Sequence, residues 1–128
     1  MAHSAKAVRA AGLLLVFLLG ACSSGTHVPS PPLPVGSAAH DAELLEGRRL
    51  FAANCATCHG TAGGGGLGPS FKDGKLLRDF PDIASQITFV EHGKGVMPAW
   101  GTLLPAAQIH AVVRYEREVL SRPSSTSP

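Results

Sequence analysis

The sequence has no apolar run of the roughly twenty residues that a membrane-spanning helix needs. Its most apolar stretch, residues 13 to 19, stops well short of that length. A basic surplus is also missing once the chain is divided. Lys6 and Arg9 are two of the eleven basic residues, and without them nine basic residues face nine acidic ones. The excess positive charge therefore sits in the first twenty-one residues, and with no basic stripe in the remainder a nucleic-acid partner is excluded. Alternation of apolar and polar residues is absent as well, which argues against a sheet. No catalytic nucleophile or acid-base pair stands out, so enzymatic chemistry on a bound substrate has no residues to carry it.

Cysteine is scarce, at three residues in 128, and each of the three occupies a different setting. Residues 1 to 21 read as a secretion signal, with a basic start at Lys6 and Arg9, a short apolar centre, and small residues after it. The signal ends in Leu19-Gly20-Ala21-Cys22, which resembles the bacterial lipobox, in which the cysteine is lipidated and becomes the new N-terminus. An ordinary signal with an incidental cysteine is the alternative. Two or more acyl chains, at about 0.8 kcal/mol per buried methylene, give lasting anchorage. The expectation is an exported lipoprotein held on the periplasmic face of a membrane. Residues 22 to 40 are rich in Ser, Pro, Gly and Ala and read as a tether, which extended would reach on the order of 55 Å.

The globular part is expected over residues 41 to 121, near the lower size limit for a chain that relies on its own core. A first helix is predicted over residues 41 to 51, with Leu44, Leu45, Leu50 and Phe51 at mostly helical spacing and acidic residues near its start. A helical turn over 54 to 59 follows, then a glycine-rich loop over 60 to 69. A second helix starts at Pro81, carries Ile83, Ile87 and Val90 on one stripe, and ends before Gly93. The last runs from Pro105 to about Leu120, stopped by Arg122 and Pro123. The fold class predicted is all-α, three to four helices, with residues 122 to 128 a disordered tail.

Cys55-Ala56-Thr57-Cys58-His59 is a C-x-x-C-H sequence, the attachment signature of c-type haem. Positions i and i+3 of a helical turn face one side, so both thiols reach the two vinyl groups while His59 offers imidazole to the iron. A thioredoxin-like redox pair would want a strand-helix-strand setting, and structural zinc would want four ligands. A second axial ligand must come from elsewhere in the chain. Met97, in Gly95-Val96-Met97-Pro98-Ala99-Trp100, is the candidate, since glycine and proline suit an irregular loop that turns a side chain inward. A gap-filling core methionine is the bland alternative, and His92 is the rival ligand. The run Gly63 to Gly66 lacks the lysine and hydroxyl of a phosphate loop; it reads as backbone lying close to the haem edge or as plain flexibility.

From residue 41 to 121 the chain resembles the class I cytochrome c family, the small monohaem cytochromes, here in lipoprotein form. The resemblance implies one covalently bound haem c per chain, His59 and Met97 on the iron, and crossed terminal helices in which Gly47 and Phe51 meet Tyr115. It also implies that the Pro69 carbonyl, within Gly68-Pro69, accepts a hydrogen bond from His59, and that Trp100 lies near a haem propionate or in the core. A departure from the family is Leu104 where a serine or threonine cap is usual before the last helix. Lys72, Lys75, Arg78 and Lys94 form a candidate basic docking rim or are simply solvated. The function implied is single-electron transfer between respiratory or exported redox proteins of the cell envelope, as a monomer or a complex subunit. Alternatives are a gas or redox sensor that opens the iron by releasing Met97, and an electron-transfer subunit of a dehydrogenase or terminal oxidase.

Overall fold

The computed structural model describes residues 29–122. The residues read as a secretion signal, the lipidation candidate Cys22, the first part of the tether and the tail after Arg122 lie outside them. Five helices follow in order: α1 (Ala42–Asn54), α2 (Ala56–His59), α3 (Lys75–Asp79), α4 (Ile83–His92) and α5 (Ala106–Tyr115). Among the described residues there is no strand, only a bridge between Lys94 and Met97, and no helix is long and apolar enough to cross a membrane.

Helix α1 starts where Asp41, in extended backbone, turns its carboxylate back onto the amides of Glu43 and Leu44 at 2.9 and 3.1 Å. This satisfies two of the donors that a helix N-terminus leaves open. Leu44, Gly47, Leu50 and Phe51 form its buried stripe, and α5 presents Ala111, Val112 and Tyr115 against it. The two helices cross so closely that a Cβ at Gly47 would lie 2.1 Å from the Ala111 carbonyl oxygen. Phe51 tilts against Tyr115 with ring centroids 5.7 Å apart and edges onto Phe71 at 6.1 Å. Side chains of this size each contribute about 1.5–3 kcal/mol when fully buried.

Helix α5 has Pro105 at its N-cap with no side-chain cap, in line with the departure noted at Leu104. The proline suffices because it fixes its own φ and has no amide to satisfy. The helix widens at its far end into a π-helical turn, Glu116–Leu120, in which Ser121 donates to the carbonyl five residues back. Helix α4 begins two residues later than predicted, because Asp82 caps it through the Ser85 amide at 2.7 Å and leaves Pro81 outside.

Two features differ from the sequence expectation. Helix α3 was not anticipated; it opens after Asp73 and Gly74, both with positive φ, and sets Leu76 in the core. Five residues are too few to display a period. The second feature is the proline-rich stretch, which rests on the domain over its second half. Arg48 donates to the Pro31 carbonyl at 2.8 Å and the Tyr115 hydroxyl to that of Pro32 at 2.6 Å. Pro31 and Pro34 are buried, and a 3-10 turn, Gly36–His40, leads into α1.

Candidate haem site

Between α1, α3, α4 and α5 the helices enclose a cavity of about 500 Å³, within the range of cofactor sites. Leu50, Phe71, Leu76, Phe80, Val90 and Val112 make much of its wall apolar. Cys55, Cys58, His59, Pro69, Met97 and Trp100 all line it, so the structure brings together the side chains read from the sequence. Cys22 lies outside the described residues.

The attachment turn is set by its position directly after α1. Cys55 N–H closes that helix onto the Phe51 carbonyl, and Cys58 and His59 then bond back to the Cys55 carbonyl at 3.1 and 3.0 Å. Both cysteines are free, Cys58 exposed and Cys55 half-buried. Burial pushes the Cys55 thiol far up, helped by negative charge available at Glu116 and Cys58. A dithiol exchange centre needs a depressed thiol, and Cys55 is shifted the other way.

His59 is buried, its ring stacked on Phe71 with centroids 4.7 Å apart. Its Nδ1 lies 3.1 Å from the Pro69 carbonyl oxygen. A carbonyl only accepts, so Nδ1 carries the proton and Nε2 keeps a lone pair suited to a metal. The loop that supplies Pro69 folds directly over this ring. A Cβ on Gly68 would lie 2.5 to 2.8 Å from three imidazole atoms, and one on Gly66 2.8 Å from the Cys58 carbonyl oxygen. Gly65 and Gly68 donate to the His59 and Cys58 carbonyls at 2.8 and 2.9 Å. The glycines thus let backbone lie against the attachment turn itself, while a Cβ on Gly64 would meet nothing within 4 Å.

Met97 is held by a tight loop. Lys94 and Met97 exchange backbone hydrogen bonds at 3.2 and 3.1 Å, and Gly93 and Gly95 take the positive φ that the turn requires. A Cβ at Gly93 would meet the Met97 carbonyl oxygen at 2.4 Å. Met97, Trp100 and Leu104 pack on the small cluster of Val90, Ile109 and Val113, so Trp100 both faces the cavity and packs. His92 is exposed, does not line the cavity, and turns its Nδ1 onto the Thr88 carbonyl at 2.8 Å. His110 is likewise outside, bound to Glu43.

The basic rim is mostly engaged locally. Lys72 donates to the Leu120 carbonyl, Lys75 pairs with Asp79, and Arg78 donates to the Asp73 carbonyl, leaving Lys94 at the cavity. Sequence reading missed Phe71 as the floor beneath His59, and it missed a buried polar pair on the cavity wall. Gln86, 2 % exposed, donates to the Glu116 carboxylate, 5 % exposed, at 2.8 Å. A helix-face count gives no sign of this, because both residue types are ordinarily solvated.

The residues present fit a covalently attached haem: two thiols, one imidazole with a free lone pair, and a thioether border a single apolar cavity. Comparison with known proteins agrees. Residues 42–115 match the family described as cytochrome c oxidase, cbb3-type, subunit III. Cytochrome c6 of Aphanizomenon flos-aquae is 42 % identical over 81 residues, which cover 60 % of this chain and 91 % of that protein. The cbb3-type oxidase subunit FixP of Azorhizobium caulinodans is 43 % identical over 74 residues, covering 55 % of this chain but 25 % of its own length. Among solved structures, cytochrome cL of Methylophaga aminisulfidivorans shares the fold, with a TM-score of 0.57 at 23 % identity over 63 % of this chain and 57 % of that one. On this family match, the all-helical fold and the cavity with its attachment motif, the chain belongs to the class I monohaem cytochromes c, electron-transfer proteins that carry one covalently bound haem c.

Proposed function

We propose that this chain is an exported single-electron carrier tethered to a membrane through lipid on Cys22, with haem attached at Cys55 and Cys58 and iron held between His59 and Met97. The observation that carries the reading is that Nε2 of a histidine with a fixed proton and the sulfur of Met97 border one cavity together with both attachment thiols. Bound haem supplies a one-electron ferric/ferrous couple. The chain's own residues do the rest. Pro69, Gly68 and Phe71 fix the imidazole plane, so that its basicity does not vary with ring rotation. The Gly93 to Gly95 turn holds Met97 at the cavity, and a thioether ligand favours the reduced state. The apolar wall would lower the polarity around the group, and His59 and Met97 together would leave no open coordination position for a substrate. Residues 22 to about 30 would serve as the tether, shorter than the composition suggested, because the next residues rest on α1 and α5.

Donor and acceptor are redox proteins of the cell envelope. The matches to a cytochrome c6 and to the oxidase subunit FixP support a haem domain of the kind that both a carrier and an oxidase subunit use. The test is spectroscopic. The ferric protein is expected to show the sulfur-to-iron absorption band, Met97→Ala to lose it, and carbon monoxide to leave the ferrous wild type unchanged. A band that persists in Met97→Ala hands the ligand role to another residue, and a carbon monoxide adduct in the wild type favours a sensor.

A further inference from the structure

The cavity wall contains a buried carboxylate that electron transfer as described above does not use. Glu116 begins the π-helical turn at the end of α5 and is buried, with Gln86 of α4 beside it. The row continues outward: Arg117 donates to Gln86 Oε1 at 3.0 Å and to the Phe80 carbonyl at 2.9 Å. A guanidinium only donates, so the oxygen of the Gln86 amide must face Arg117 and its NH2 must face Glu116. Gln86 Nε2 then donates to Glu116 Oε2. No hydrogen bond reaches Oε1, yet among the described residues no buried side-chain oxygen lacks a partner. Oε1 therefore keeps some accessible surface, and Glu116 lines the cavity.

We infer that Glu116 is a proton-binding site coupled to electron transfer, its carboxylate taking one proton from solvent on Oε1 when the domain gains an electron and returning it on oxidation. The inference rests on the haem site proposed above. The balance is simple: one electron enters from the reducing partner, one proton enters from water, and the carboxylate becomes a neutral carboxylic acid. The buried region then keeps its net charge through the cycle, which a low-dielectric interior favours strongly. Other groups facing this cavity are Asp79 at the end of α3, Lys94 from the Met97 turn, Cys55 at the junction of α1 and α2, and Cys58 and His59 on α2. Cys55 is consumed in attachment, and Arg117 reaches Glu116 only through the amide of Gln86. Burial pushes the Glu116 carboxyl up to about 8, against the pull of the Gln86 hydrogen bond. Both protonation states thus lie within reach near neutral pH.

The test is an optical redox titration of the haem-loaded protein from pH 5 to 9. In the wild type the midpoint potential is expected to fall as pH rises, by at most tenfold in the equilibrium per pH unit, or about 59 mV for one electron. Glu116→Gln should flatten that slope. Gln86→Met, which removes the donor that stabilises the anion, should move the sloping region to higher pH. Asp79→Asn and Lys94→Gln should leave the slope in place. A second readout does not use the potential: the reduced-minus-oxidised infrared spectrum should contain a protonated carboxyl band that Glu116→Gln abolishes. A slope and band unchanged in Glu116→Gln overturn the inference and move the proton to the haem propionates. Material that has haem and the sulfur-to-iron band but a flat potential also overturns it, while leaving the haem site standing. Loss of covalent haem from the wild type would instead remove the site itself.

Discussion

The crossing of α1 and α5 and the cavity beside it use opposite building rules within one small domain. At the crossing two backbones meet through Gly47 and Ala111, aromatic rings fill the seam, and the carboxylates of Asp41 and Glu43 bind Arg114 at the rim. At the cavity the same helices line an open space with apolar side chains such as Leu50 and Val112, and glycine backbone lies over an imidazole. Protein interiors normally pack to crystal-like density. The chain packs one half by itself and leaves the other to be completed by its cofactor, so substitutions should be felt differently in the two halves.

The largest effect is expected at the crossing. Gly47→Ala places a methyl group inside the Ala111 carbonyl, which belongs to backbone and cannot step aside. The helices must separate, at about 2–3 kcal/mol or more. Urea denaturation of the haem-loaded protein would measure it, and a variant as stable as wild type would mean that the seam is looser than described. A smaller and different effect is expected for Gly68→Ala. Its Cβ collides with the His59 ring, and the loop can yield outward, so stability should fall by about 1–2 kcal/mol. Visible spectrum and potential should shift as the imidazole tilts; a loss of stability as large as that of Gly47→Ala with an unaltered spectrum would erase the contrast.

The smallest effect separates the halves by sign. Bonds from the Leu44 amide and from Arg114 hold Asp41 below the usual carboxylate value, and His110 and Arg114 do the same for Glu43. Acids held low contribute stability that is full above their unfolded values and is lost as pH falls through the folded ones. Glu116 is held high, so its contribution is full below the ordinary glutamate value and fades as pH rises toward about 8. Acid should therefore loosen the crossing and mild alkali the cavity wall. The acid effect is the lesser, because the pairs at the crossing are partly exposed, and added salt should reduce it further. Urea midpoints across pH, with Glu43→Gln and Glu116→Gln as the two probes, would separate the limbs; one limb abolished by both variants would contradict the division.

The sequence was most informative where chemistry imposes spacing. Cys55, Cys58 and His59 stand on one turn because a single rigid ring must reach all three, and that spacing is visible without coordinates. Gly47 was placed through family likeness, and the structure gives its reason in a carbonyl 2.1 Å from where a Cβ would be. What stayed hidden depends on the third dimension. Helix α3 is too short to announce itself, and Pro31 and Pro32 join the fold only because Arg48 and Tyr115 offer donors to their carbonyls. Glu116 looks like any surface acid until α4 brings Gln86 across to it.

The bond from the Tyr115 hydroxyl to Pro32 spans 83 residues of chain, and the helix seam beneath it joins segments almost as distant. Contacts of such separation close late, after local turns have formed. Residues 55 to 59 close on near neighbours, so this turn is expected to form before α5 docks, and the docking of α5 then works as a latch on the domain.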